Sequence, residues 1–210
     1  GAFSICTNLA SVNFGTGSKL TTIGYDTFNG CTGLISITIP SSVTSIERFA
    51  FDGCTALTSI TIPSSVKSID GFAFRNCAVL TSINLPSGLT TIGEFAFYGC
   101  TGLTSISLPS SVTSIVGYNP FANCTNLNSI NMVTNGEYKA EGNCLIEIGT
   151  QTLISGCKNS VIPNGIIIIG SGAFAGCTNL TSTTIPNTVT TIRNNAFYEC
   201  IALTSVIIPS

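Results

Sequence analysis

Apolar and polar side chains alternate in short runs that recur along the whole chain. In Leu57-Thr58-Ser59-Ile60-Thr61-Ile62-Pro63 the isoleucines fall at alternate positions, the period of a strand with one buried face. Ile60 and Ile62 are predicted to point inward and Ser59 and Thr61 outward. Pro63 has no N–H to give to a ladder and ends the strand. After a short polar turn the chain returns to the core with Val66 and Ile69, then with Ala73-Phe74 and Cys77, which closes one coil before Leu80 opens the next.

The unit repeats at a fixed interval: Cys31, Cys54, Cys77 and Cys100 are each 23 residues apart. A single coil buries too little to offset its own ordering, so coils must stack, each covering its neighbour's apolar face. The pattern predicts about nine strands, near Val12, Ile37, Ile60, Ile83, Ile106, Ile130, Val161, Thr183 and Val206. The expected fold is a leucine-rich repeat β-solenoid of right-handed coils of about 23 residues, with one long parallel sheet on the concave face. The convex face is expected to be mostly irregular, or short 3-10 or helical turns. Residues 1–210 form one such solenoid, read as a fragment of a longer protein because it starts at Ala2-Phe3 and stops at Ile208-Pro209-Ser210, both in mid-repeat. Bare end coils leave room for end-to-end or edge self-association.

Four departures interrupt the pattern. Gly15-Thr16-Gly17-Ser18-Lys19 lengthens one turn, Val116-Gly117-Tyr118-Asn119-Pro120 lengthens another, and Thr183 stands where an inward isoleucine is expected. The largest is residues 127–156, an irregular coil in which Leu145–Ile148 and Thr152–Ile154 flank Gly149-Thr150-Gln151 and predict a β-hairpin. The preceding Asn135–Gly142 stretch gathers several of the chain's few charges and is expected to be a surface loop, either with a role of its own or covering a misshapen coil.

Composition narrows the function. Charged residues are 8% of the chain, against roughly 25% in an ordinary domain, so Ser, Thr and Asn must carry the surface. Seven scattered Lys and Arg and a net charge of −2 offer no basic stripe for nucleic acid. No apolar run approaches the roughly 20 residues of a membrane helix, so no insertion is expected. The chain has no His, no Gly-x-Ser-x-Gly elbow, no phosphate-binding glycine loop and no Cys-x-x-Cys pair, so no enzyme activity, metal or cofactor is expected. Carboxylates such as Glu47, Asp70 and Glu94 occur at repeat or solvent positions without an evident partner.

The unit Leu-x-x-Ile-x-Ile-Pro-x-x-Val-x-x-Ile-Gly-x-x-Ala-Phe-x-x-Cys-x-x-Leu resembles the BspA-like, or treponemal-type, leucine-rich repeat. The resemblance covers nearly all of the chain, including the divergent coil from Asn143 to Cys157. It implies a cell-surface or secreted protein of a mucosal microbe that adheres to host proteins, glycans or other cells. It brings neither a catalytic site nor a defined ligand. A spacer that holds another domain away from the cell surface is the competing expectation.

Three groups are candidate contact residues, each with a purely structural alternative. Ser36, Thr38, Ser59, Thr61, Ser82, Asn84, Ser105, Ser107, Ser129 and Asn131 make two outward polar columns on the concave face, where small hydroxyls either solvate the sheet or meet a protein or glycan. Phe49, Phe72, Phe95 and Tyr118 make an aromatic stripe, an interface if exposed and packing if covered. Glu137, Tyr138, Lys139 and Glu141 belong to the hairpin coil. The cysteine column (Cys6, Cys31, Cys54, Cys77, Cys100, Cys124, Cys177 and Cys200) reads as buried free thiols, since inter-coil bridges would have to pair alternate gaps of a uniform column. Cys144 and Cys157 are better placed for a disulfide.

Overall fold

The computed structural model describes residues 1–208 and is a stack of coils. The expected end at Pro209-Ser210 lies outside the described residues. Seven strands occupy the predicted first row: Ser11–Val12, Ser36–Thr38, Ser59–Thr61, Ser105–Leu108, Ser129–Met132, Ser182–Thr184 and Ser205–Ile207. They pair in parallel with inward residue over inward residue, as in Ile37↔Ile60, Ile130↔Ile106 and Thr183↔Val206. The inward residues Ile37, Ile60, Ile106 and Ile130 are buried, as the alternation requires.

Two of the nine expected strands are absent among the described residues, so the ladder runs in three pieces. At Ile83 the side chain keeps its place in the core (7% exposed) but the backbone is not paired. At Val161 the neighbour is a hairpin turn instead of a strand. Val161 donates its N–H to the Gly142 carbonyl at 2.9 Å, and its side chain is exposed.

A second row of strands, which periodicity does not predict, follows the turn after the first-row segment: Thr22–Ile23 after the glycine turn, and Ser45–Ile46, Ser68–Ile69, Thr91–Ile92 and Ser114–Ile115 after proline turns. The turns close through Val43, Val66, Leu89 and Val112, whose N–H groups donate to the carbonyls of Pro40, Pro63, Pro86 and Pro109 at 3.0–3.1 Å. Turn hydroxyls tie coil to coil, with Ser65 donating to the Val43 carbonyl at 2.6 Å and Ser111 to that of Leu89 at 2.5 Å. The remaining side of each coil is made of turns, and no helix occurs among the described residues.

Inside that side runs a column of stacked rings, Phe3, Phe28, Phe51, Phe74, Phe97 and Phe121, with centroids 5.3–5.6 Å apart. Beside it runs the cysteine column. All ten cysteines are free thiols, Cys144 and Cys157 included, and all but Cys6 are buried. The ladder thiols are also hydrogen-bond donors. Cys54, Cys77, Cys100 and Cys124 donate to the carbonyls of Phe28, Phe51, Phe74 and Phe97 at 3.1–3.2 Å. Cysteine therefore fills this position both as a small hydrophobe and as a donor that satisfies a buried carbonyl.

The irregular coil carries the predicted hairpin, Cys144–Glu147 paired antiparallel with Thr152–Ser155. The expected surface loop before it is in fact a third strand, Tyr138–Glu141, antiparallel to Cys144–Glu147. This meander joins the second row through Ile168–Ile169 and Thr191–Ile192. On the turn side the inserted coil is bypassed. The Asn123 N–H donates directly to the Ala175 carbonyl at 2.8 Å, and the Asn119 side-chain amide donates to the Gly172 and Ala173 carbonyls.

Candidate functional site

The concave face presents its polar columns as the alternation predicts. Ser36, Thr38, Ser59, Thr61, Ser82, Asn84, Ser105, Ser107 and Asn131 are exposed, and Ser129 is half-buried. Adjacent hydroxyls outside the two columns are used internally, as where Thr58 donates to the Ile35 carbonyl at 3.1 Å. The column hydroxyls themselves face solvent.

The aromatic stripe is stacked and half-exposed. Phe49, Phe72, Phe95 and Tyr118 follow one another at 5.0–5.2 Å, with Tyr25 edge-on to Phe49 and Tyr98 edge-on to Phe95. Two arginines, not singled out by composition, lie on the rings. Arg48 is 4.7 Å from the Phe72 centroid and Arg75 is 5.3 Å from that of Phe49. Arg75 is held by a two-pronged bond to Asp52 (2.9 and 2.5 Å), which pushes the guanidinium's pKa further up. Arg48 pairs with Glu94 at 3.1 Å, so Glu94 has a partner that the sequence alone does not show. Asp52 and Arg75 stand 23 residues apart, and that spacing is the signal which could have predicted their contact.

The backbone of the stripe is unusual. Phe49, Phe72 and Phe95 have φ of 60°, 59° and 53°, the left-handed region that bulky side chains avoid. The equivalent residues in other coils are Asp26, Gly172 and Asn195, which tolerate it. Three consecutive coils thus hold phenylalanine against local preference, at a cost of order 1–2 kcal/mol each. Two residues before Phe72, burial and then neighbouring Glu47 push the Asp70 carboxyl up from its ordinary value.

In the hairpin coil, Glu137 and Glu141 are exposed, and Lys139 bonds Glu141 at 2.7 Å. Tyr138 is buried, and its hydroxyl accepts the Ile115 N–H at 3.0 Å, which closes the end of the second-row sheet. It positions the meander from within. Beside the meander, an open furrow of about 470 Å³ runs along Ile130–Val133. Among the described residues no three His, Cys, Asp or Glu side chains converge as metal ligands.

Comparison with known proteins adds the relatives of this architecture. A leucine-rich repeat protein of Bacteroides ovatus is 30% identical over 95% of this chain, with a TM-score of 0.61, and the chain spans 45% of that protein. A leucine-rich repeat protein of T. pallidum is 25% identical over 93% of the chain and 77% of its own, with a TM-score of 0.63. A leucine-rich cell surface protein of Faecalibacterium prausnitzii is 26% identical over 91% of the chain and 77% of its own, with a TM-score of 0.51. No curated protein matches. The profile of the BspA-type leucine-rich repeat region matches six copies, over residues 1–79, 45–154 and 147–210. The chain belongs to the BspA-type leucine-rich repeat family.

Proposed function

We propose that this chain is part of a cell-surface or secreted scaffold that mediates adhesion to host proteins, glycans or other cells, and that residues 1–210 are one solenoid segment of it. The observation that carries this reading is the stripe Phe49-Phe72-Phe95-Tyr118 with Arg48 and Arg75. Aromatics and arginine are the residue types that dominate interface energies. Here the three phenylalanines are half-exposed and kept at left-handed positions where packing alone would be served by Gly or Asn. Likeness to the leucine-rich cell surface protein of F. prausnitzii supports the location. The outward serines and threonines of the first row, and Glu137, Lys139 and Glu141 of the meander, extend the contact surface.

The spacer reading draws on one observation: the concave columns hold only small side chains, with no anchor among them. A binding screen separates the two. The protein, a Phe49/Phe72/Phe95 triple alanine variant and a Ser59→Arg/Ser82→Arg variant are tested against extracellular-matrix proteins and a glycan array. Specific binding that one variant abolishes and the other retains places adhesion on that surface. Binding no better than that of a denatured control overturns the scaffold reading.

A further inference from the structure

Asparagine is followed by glycine three times, at Asn29-Gly30, Asn135-Gly136 and Asn164-Gly165. Asparagine is a thermolabile residue, and in this pair no Cβ shields the next amide nitrogen from its carboxamide. Reaction between them needs both groups free: the carboxamide carbon must turn onto the glycine nitrogen, and that nitrogen must lose its proton. Two of the three sites are tied. The Gly30 N–H donates to the Asp52 carbonyl of the next coil at 2.7 Å, and the Asn29 amide donates to the Asp26 carboxylate at 2.8 Å. The Asn135 carboxamide is held at both ends. Its amide donates to the Ser110 and Val112 carbonyls at 2.9 and 2.7 Å, and its oxygen accepts the Glu137 and Tyr138 N–H groups at 2.8 and 2.7 Å. Asn164 and Gly165 are exposed, and neither the carboxamide nor the Gly165 N–H has a partner among the described residues. Their turn is also open. Val43, Val66, Leu89, Val112 and Val189 each close a proline turn, whereas Ile166 makes no such bond to Pro163. Gly165 stands where Ser65, Ser111 and Thr188 tie one coil to the next through a hydroxyl.

We propose that Asn164 is a site of spontaneous covalent modification, at which the Gly165 nitrogen turns the carboxamide into a carboxylate. Hydroxide removes the Gly165 amide proton, and the nitrogen attacks Cγ of Asn164. The new C–N bond closes a succinimide ring, the Cγ–Nδ2 bond breaks, and ammonia leaves. Water then opens the ring at one of its two carbonyls. Opening at Cγ gives aspartate, and opening at the main-chain carbonyl gives isoaspartate, with the chain rerouted through Cβ and Cγ. One water is consumed and one ammonia released, so no oxidant or cofactor is required. The new charge falls where the chain has none of its sign. No Asp or Glu occurs between Glu147 and Glu199, and the charged side chains of that span are Lys158 and Arg193. Asn164 lines a furrow of about 500 Å³ together with the exposed Ser182 and Thr184, on the face whose outward columns are uncharged. The stack tolerates the change, since no bond between coils runs through the Asn164 side chain among the described residues. This chemistry does not depend on the scaffold reading, but a partner that contacts the neutral columns would meet the added carboxylate.

The test holds the folded protein and a urea-unfolded sample in warm, mildly alkaline buffer and follows each asparagine by peptide mass spectrometry. Unfolded, the three sites are expected to deamidate at similar rates. Folded, Asn164 is expected to keep its unfolded rate to within about threefold, whereas Asn29 and Asn135 slow by about tenfold or more, because each must first open locally. Both aspartate and isoaspartate are expected at Asn164. Native isoelectric focusing should show a growing band one charge more acidic, absent in Asn164→Gln, whose longer side chain closes the corresponding ring far more slowly. Circular dichroism of Asn164→Gln should match that of the unaltered protein. Deamidation of Asn29 or Asn135 in the folded protein as fast as that of Asn164, or an Asn164 slowed as strongly as they are, overturns the proposal. Aspartate without isoaspartate would mean direct hydrolysis and overturns the route through Gly165.

Discussion

At the scale of single residues, the cysteine column shows one side chain meeting two requirements. Cys77 is fully buried and donates to the Phe51 carbonyl at 3.2 Å. Cys77→Val keeps the apolar volume but strands that carbonyl, so a loss of about 1–3 kcal/mol is expected, measured as a fall in the urea midpoint. Cys77→Ser keeps a donor but buries a stronger polar group, and the two variants together separate packing from hydrogen bonding. Ionisation gives a second readout. Burial, then the nearby Cys31, pushes the Cys54 thiol from 9.0 to about 12, and burial raises Cys144 to about 12 as well. The folded state therefore holds protons that the unfolded chain releases, so the stabilisation is complete below about pH 9 and lost as pH rises through about 12. Reversible alkaline unfolding in that window, shifted upward in Cys54→Val, is the expected outcome by circular dichroism. The burial of this column can be read from its 23-residue spacing, but its carbonyl partners cannot, because they lie on a neighbouring coil whose offset only the stack defines.

At the scale of elements, the meander is held by two small features. Tyr138→Phe removes the acceptor for the Ile115 N–H and is expected to cost about 1 kcal/mol, with faster hydrogen exchange at Ile115 as the direct check. Gly156 marks where the inserted coil rejoins the stack, and a Cβ there would collide with the Phe174 ring. Gly156→Ala should destabilise by about 1–3 kcal/mol, whereas Gly149→Ala, at an open position in the hairpin turn, should not. These elements are unevenly legible in the sequence. Alternation finds the first-row strands, and Gly149-Thr150-Gln151 between apolar runs finds the hairpin. The second row escapes because two residues, Ser68–Ile69 in the regular coil, are too few to show a period. Tyr138–Glu141 reads as a loop because its charges face outward while a single aromatic turns in. The stripe is legible as a spacing, but its arginine cover requires the stack.

At the scale of the whole molecule, the inserted coil divides the core. One cluster runs from Ile23 to Leu145 and Cys157, and a second gathers Cys144, Ile146, Leu153 and the residues from Ile162 to Cys200. The ring column is divided at the same place, since Phe121 ends one run and Phe174 begins another, stacked on Phe197 at 5.0 Å. In a solenoid each coil contacts only its neighbours, so stability is a sum of coil and interface contributions, and cooperativity passes only as far as the interfaces carry it. The interface at the meander has the Asn123–Ala175 and Asn119–Gly172 bonds and the pairing of Thr152–Ser155 with Ile168–Ile169 but no shared ring stack, and it is expected to be the weakest link in that chain of contacts. Unfolding should therefore proceed in two steps, with the coils around Phe174 opening before those around Phe51 and Phe74. Hydrogen exchange under rising urea is the measurement: amides of Ala173–Cys177 should lose protection at a lower midpoint than those of Phe51–Cys54. Replacing residues 127–156 with one regular coil should merge the two midpoints, because the ring column would then be continuous. A single shared midpoint in the unaltered protein would mean that the hydrogen bonds of Asn119 and Asn123 couple the halves as strongly as stacked phenylalanine does.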